Sequence, residues 1–263
     1  FDKRAFFNSL ELHNPSWLQL VPSVLRYILD SMEADKFLLK SHSSLRLIRS
    51  VSAPLPLQLK ARAEEAFGVP VVNIYGMTET CGVIASNPVA SAHKYPTSVG
   101  CSAGLDIRIV DGDDKPCPSG DEGEIQVMGD SVMGGYLNVS KASQPLHDGW
   151  LKTGDIGYLN DEKYLFITGR VKELINRGGE KISPAEIDQI MMEHENVLDT
   201  ASFAIPDPNS GEAVGTCIVP KSGTDITLNS IKQFLRGRIA QHKQPAKLFV
   251  VESIERKNGK LNR

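Results

Sequence analysis

Cysteine is scarce and unpatterned in this sequence. Cys81, Cys101, Cys117 and Cys217 are spread through 263 residues, with no C-x-x-C and no accompanying histidine pattern. That excludes a cysteine-built metal centre and predicts four reduced thiols, buried or partly buried. The histidines at 13, 42, 93, 147, 194 and 242 are equally scattered and read as surface or packing residues. An excess of one charge is also lacking. The net charge of −3 leaves no polyelectrolyte signature for nucleic acid or an anionic membrane surface. No apolar run is long enough to span a bilayer, so no transmembrane segment is expected, and the expected setting is cytoplasmic, with the organelle unread. The opening Phe1-Asp2-Lys3-Arg4 is neither an initiator methionine nor a secretion signal and reads as a cut end. What remains, 41% hydrophobic and 23% charged, is an ordinary globular composition for one large domain or two moderate ones.

The chain changes character twice. Up to about residue 100, strand and helix patterns alternate. Trp17 to Val21 reads as a strand stopped by Pro22, and Val24, Leu25, Ile28 and Leu29 recur at helical spacing. Leu47 to Val51 is the next strand. A helix is predicted from Pro56 at its first position to Gly68 as its stop, followed by a strand from Val69 to Ile74. This rhythm predicts an α/β sheet with ligand sites beyond the carboxyl ends of its strands. From about residue 99, short strands at Leu105–Val110, Glu124–Met128 and Tyr164–Thr168 predict an antiparallel sheet or small barrel packed on the first part. After Lys172 a hairpin through Gly178-Gly179 precedes Ser183-Pro184. There Ser183 is placed to cap a helix, with Glu186 three residues on. Strands at Ala201–Ile205 and Thr216–Val219, a helix from Leu228 to about His242 and a strand at Leu248–Val251 complete a compact α+β unit.

Four motifs run through these segments in order: Tyr75-Gly76-Met77-Thr78-Glu79-Thr80, Gly149-Trp150-Leu151-Lys152-Thr153-Gly154-Asp155, Gly169-Arg170-Val171-Lys172-Glu173 and Asn258-Gly259-Lys260. Taken singly, each has a plain reading. Thr78-Glu79-Thr80 suits a helix-capping segment with an acidic first turn, and Asp155 an Asx-turn. Gly178-Gly179 suits an ordinary hairpin, and the terminal basic run a solvated tail. Taken together, their order and spacing resemble the adenylate-forming superfamily, which includes acyl-CoA synthetases, aryl-CoA ligases, luciferases and carrier-protein-loading adenylation domains. The resemblance covers essentially residues 1 to 263 and is strongest to the acyl- and aryl-CoA ligases, through Asn176-Arg177-Gly178-Gly179-Glu180-Lys181-Ile182-Ser183-Pro184. It implies residues 1–171 as the C-terminal part of the large AMP-binding domain and 172–263 as a small mobile lid.

The resemblance also implies chemistry. A carboxylate is a poor acyl donor because oxide leaves badly; coupling it to AMP supplies a stabilised phosphate leaving group. Such an enzyme must hold nucleotide and acid in line and offset the charge that builds between them. In family terms Tyr75 would lie flat against adenine, beside the small-residue turn Ser52, Ala53 and Pro54, while Thr78 would donate to the α-phosphate from a helix start. Glu79 would be the Mg²⁺ carboxylate. Asp155 would accept from both ribose hydroxyls, with Arg170 reaching ribose or phosphate. Lys172 would be the hinge of the lid, and Gly178-Gly179 the loop that turns toward the pantetheine of CoA. Lys260 would bridge carboxylate and α-phosphate, although Glu255-Arg256-Lys257 replaces the family's usual Pro-x-Thr just upstream. Asn73, Ile74, Met77 and Gly82, around Gly76, would line a modest acid pocket. The implied ligands are a carboxylic acid, ATP or AMP, Mg²⁺ and CoA. The family's Gly/Ser/Thr-rich phosphate loop would lie before Phe1, so the chain alone should adenylate poorly. Two alternatives stay open: loading of a carrier-protein pantetheine, and a nucleotide-binding fragment without catalysis.

Overall fold

A computed structural model describes residues 1–34, 44–140, 143–257 and 260–261. The chain separates into two compact units, Phe1–Thr153 with Gly157–Ile167 and Gly154–Ile156 with Thr168–Arg263. His42, Asn258 and Gly259 lie outside the described residues.

The first unit opens with helix α1 (Lys3–His13), whose first turn is capped by the Asp2 carboxylate accepting from the Ala5 N–H at 2.9 Å. It is followed by β1 (Trp17–Leu20), α2 (Pro22–Ala34), β2 (Leu47–Ser50), α3 (Leu57–Phe67), β3 (Val71–Tyr75), β4 (Ala85–Ser86) and β5 (Cys101–Ser102). These strands form one sheet in chain order, with β1, β2 and β3 parallel and β4 and β5 antiparallel. Leu25, Ile28, Ile48, Leu59 and Val71 pack together between the helices and the sheet. Each fully buried aliphatic side chain of this kind contributes about 1.5–3 kcal/mol. Pro56 caps α3 from outside with extended backbone (ψ 137°) rather than occupying the first helical position, since the first helical bond runs from the Lys60 N–H to its carbonyl.

Five further strands, β6 (Asp106–Val110), β7 (Gly123–Met128), β8 (Leu146–His147), β9 (Trp150–Leu159) and β10 (Leu165–Arg170), form a second sheet in the order β10-β9-β7-β6, with β8 on β9. β6 pairs with β7, and β8 with β9, antiparallel. Tyr75, Ile84 and Ala85 share a core with Leu105, Ile109, Ile125, Val127, Leu151 and Leu165, so the two sheets of this unit have one interior. The longest strand of the sheet, β9, coincides with the Gly149–Asp155 motif. Cys81 departs from the expected burial: it is exposed, closing a turn in left-handed conformation, while the other three thiols are partly buried. Burial pushes the Cys117 and Cys217 thiols up from their ordinary pKa.

The second unit contains the hairpin β11 (Ile175–Arg177) and β12 (Glu180–Ile182), then α4 (Pro184–Met191), β13 (Val197–Asp207), β14 (Gly211–Pro220), α5 (Leu228–Leu235) and β15 (Lys247–Val250). Its sheet order is β12-β11-β14-β13, with β15 parallel on β14. The two-residue loop of β11–β12 needs positive φ at both positions, which Gly178 (61°) and Gly179 (95°) supply. Ser183 precedes α4, but its hydroxyl makes no capping bond; it donates to the Thr168 carbonyl instead. Glu186 is likewise drawn off to Lys243 Nζ at 2.7 Å. The second helix stops at Leu235, short of His242, because Arg236 turns to extended backbone (ψ 124°). Ile239 still packs on the core, through a turn closed by its N–H to the Leu235 carbonyl. A final two-strand ribbon joins β16 (Arg256–Lys257) and β17 (Lys260–Leu261).

At Gly76 a Cβ would lie 1.7 Å from the Gly82 carbonyl oxygen, so only glycine permits the turn after β3. Gly76→Ala is expected to lower unfolding free energy by about 3 kcal/mol, the upper part of the usual overpacking range. Gly112→Ala, where nothing lies within 4 Å, is the control. Equal urea midpoints for the two variants would contradict the steric account.

Candidate functional site

The first cluster of expected site residues sits at the carboxyl end of β3. All five residues of β3 are buried, which is the normal state of a parallel strand covered on both faces. The Asn73 N–H donates to Asn87 Oδ1 at 3.2 Å, and the Asn87 N–H donates to the Asn73 carbonyl at 3.2 Å. Asn73 also stands opposite Ser50, the last residue of β2. Ser50 Oγ and Asn87 Nδ2 are buried with no partner among the described residues. Two orphaned polar atoms beside Asn73 suit a polar ligand or an ordered water there, since buried polar groups are otherwise paired. Ser52 (φ 71°) and Pro54 are exposed just past β2, with Ala53 partly buried between them. Tyr75 is only 9% exposed and belongs to the shared core, so little of its ring faces outward; Ile74 is equally buried at 8%.

Beyond Gly76 the chain makes one 3₁₀ turn, Thr78–Thr80, rather than the expected start of a helix. Cys81 ends it with its N–H to the Thr78 carbonyl at 3.2 Å, and Gly82 returns to the Met77 carbonyl at 3.1 Å. A three-residue turn has no appreciable macrodipole, so Thr78 is an exposed hydroxyl and not the head of a helix. Thr80 is buried and its hydroxyl donates to the Met77 carbonyl at 3.1 Å, which leaves Thr78 and Glu79 on the outer side.

Glu79 has a partner that sequence reasoning does not supply. The Tyr136 hydroxyl donates to Glu79 Oε1, and this bond holds the tyrosine pKa above its ordinary value. The segment bearing Tyr136 is tied to the same turn through the Met133 N–H donating to the Glu79 carbonyl at 2.8 Å. The 57 positions that separate the two residues hide this pairing, and only the aromatic in Gly134-Gly135-Tyr136 hints at it. Glu79 Oε2 accepts from no described residue. No three of His, Cys, Asp and Glu come together among the described residues. A single carboxylate with one oxygen in reserve fits Mg²⁺, which keeps several waters and takes one or two oxygens from protein.

The other expected residues lie in the second unit. Asp155 is 5% exposed, and its Oδ1 accepts from Arg170 Nε at 2.7 Å; the arginine side chain itself is half-exposed. A buried carboxylate held by a guanidinium is a rigid acceptor of the kind ribose hydroxyls require. Lys172 is exposed on a 3₁₀ turn, Val171–Glu173. Gly178 and Gly179 are exposed at the tip of the β11–β12 hairpin, with the Gly178 N–H held by the Ser210 carbonyl at 2.8 Å. The backbone of Lys260 pairs with Lys257 in the terminal ribbon. Arg256, one of the residues that depart from the family pattern, anchors that ribbon through bonds to both Asp199 carboxylate oxygens at 2.7 and 2.9 Å.

Residues 1–137 match the AMP-binding enzyme family, and residues 186–260 match the AMP-binding enzyme C-terminal domain. Oxalate–CoA ligase of Arabidopsis thaliana is 36% identical over 267 residues, which is 100% of this chain and 51% of that protein. Sulfoacetate–CoA ligase of Cupriavidus necator is 34% identical over 266 residues, again 100% and 51%. The solved structure of O-succinylbenzoate coenzyme A synthetase from Bacillus subtilis in complex with ATP and magnesium ion superposes with a TM-score of 0.84 at 29% identity. That match covers 99% of this chain and 53% of the other. The chain thus spans about half the length of the relatives it matches. With a family match over more than half of its residues, it belongs to the AMP-binding enzymes.

Proposed function

We propose that this chain is the C-terminal part of an AMP-forming acid–CoA ligase, with residues 1–171 closing the large domain and 172–263 forming the lid. A carboxylic acid and ATP would give an acyl-adenylate and pyrophosphate; the CoA thiol would then displace AMP and form the thioester. The observation that carries this reading is that both named relatives are CoA ligases and match the chain along its whole length. The same observation favours CoA over a carrier-protein pantetheine as acceptor. Oxalate and sulfoacetate, the acids in those relatives' names, are small and carry a second anionic group, so acids of that class belong in any substrate panel.

The residues take the following parts in this reading. Asp155, fixed by Arg170, receives the ribose hydroxyls, while Asn73, Ile74, Tyr75, Gly76 and Met77 form the floor beneath base and acid. Ser52, Ala53 and Pro54 border the base. Thr78 donates to the α-phosphate, and Glu79 holds the cation. Mg²⁺, when bound, would neutralise phosphate charge. Lys260 places a point charge between carboxylate and α-phosphate, which suits a long flexible stem. Lys172 lets the lid turn between the two half-reactions, and Gly178-Gly179 then faces the thiol channel.

Carboxylate-dependent exchange of labelled pyrophosphate into ATP tests the whole reading, using the full polypeptide and a panel of aliphatic, aryl and dianionic acids. Exchange with one class is expected, and none with any acid would contradict it. Lys260→Ala should slow adenylation about 10²–10³-fold, the usual cost of losing one transition-state charge contact, yet leave thioester formation from supplied acyl-adenylate intact. Equal loss in both half-reactions would remove Lys260 from this role. Lys172→Pro should do the opposite, sparing exchange and impairing the thioester step; unchanged turnover would rule out the hinge.

A further inference from the structure

We propose that Tyr136 is a positioning residue for Glu79, and that Gln144 holds Tyr136 in place for that purpose. The inference rests on Glu79 being the cation carboxylate, as read above.

Tyr136 is 45% exposed, in a segment where Leu137 is 91% and Val139 39% exposed. Nothing about that exposure obliges its hydroxyl to leave water for a carboxylate. Its backbone is nonetheless tightly held. The Tyr136 N–H donates to Gln144 Oε1 at 2.8 Å, and Gln144 Nε2 donates to the Tyr136 carbonyl at 2.8 Å and to the Val139 carbonyl at 3.2 Å. A side-chain amide therefore engages both polar groups of one residue, as a neighbouring strand would. The second tie is the Met133 N–H on the Glu79 carbonyl, so the segment is pinned to the backbone of the residue that its tyrosine touches. Two separate restraints thus converge on one bond, from the Tyr136 hydroxyl to Glu79 Oε1.

The donor's chemistry suits this task. A glutamate on a surface turn has several rotamers, and ordering it when a ligand arrives costs entropy. A lysine or arginine would order it but would also cancel the charge that attracts a cation. A tyrosine hydroxyl orders the carboxylate and leaves its charge in place. It also takes only Oε1, and Oε2 stays available among the described residues.

The test is the Mg²⁺ concentration at half-maximal ATP binding, measured calorimetrically on the full chain. It is accompanied by metal-free AMP affinity and by the melting temperature. Tyr136→Phe should raise the Mg²⁺ midpoint about three- to tenfold, the scale of losing one hydrogen bond to a charged group, while AMP affinity and melting temperature hold. Gln144→Leu should move the midpoint in the same direction, by less, because the hydroxyl remains but its anchor is gone. If Glu79→Gln raises the midpoint and Tyr136→Phe does not, the positioning role is overturned and the proposed function stands. A parallel loss of metal-free AMP binding in Tyr136→Phe would make the tyrosine a general brace and equally overturn it. If Glu79→Gln leaves the midpoint unchanged, the reading of Glu79 itself fails.

Discussion

The turn after β3 leaves no space for a side chain at position 76, and the candidate site of the first unit depends on that constraint. Buried along its whole length, β3 delivers Tyr75 into the interior shared by two sheets. The chain must then reverse at once to begin β4. It does so by laying residue 76 against the Gly82 carbonyl, while the Ile84 N–H returns to the Tyr75 carbonyl at 2.8 Å. The residues between Tyr75 and Ile84 form a closed loop with a buried base, where Thr80 bonds to Met77, and an outer side carrying Thr78 and Glu79. Polar side chains therefore project from an apolar core over a very short length of chain, and their positions are set by close packing rather than by a helix.

Most of the strands and helices were legible in the sequence because apolar periodicity and Gly/Pro punctuation are local signals, although α1 and the long strand β9 were not read. What escaped it depends on contacts distant in sequence. Ser183 looks like a capping residue, yet its hydroxyl serves Thr168, and no local pattern announces that choice. The run Ile231, Leu235, Ile239 keeps helical spacing, so the helix looks longer than it is; Ile239 reaches the same core from a turn. Asp2 is a visible cap for α1, but with Leu10 as its one buried residue that helix has little periodicity to read. In the site, the carboxylates could be picked out by motif, but their partners could not. Arg170 lies 15 residues from Asp155 and Tyr136 57 residues from Glu79, and neither pairing leaves a local signal.

The two units offer different kinds of polar group. In the second, Asp155 is buried and matched by a guanidinium that reaches in from solvent, which fixes its direction and offsets its charge. In the first, Glu79 is partly exposed and oriented by a neutral hydroxyl, which fixes direction while leaving charge uncompensated. A hydroxyl-binding acceptor profits from the first arrangement and a cation ligand from the second. The departure from family pattern at Glu255-Arg256-Lys257 has a local use as well, since Arg256 gives the terminal ribbon an ionic anchor on Asp199.

The strand β9 belongs to both compact units: Gly154–Ile156 fall in the second and the residues on either side in the first. No single cut in the polypeptide can therefore separate the units cleanly. A protease nicking the turn at 160–163, or a gene truncated to begin at Thr168, would release a piece that keeps Arg170 and loses Asp155. The guanidinium would then be left without the carboxylate it holds, so the segment from Thr168 onward, prepared in isolation, would differ electrostatically from the same segment in the intact chain.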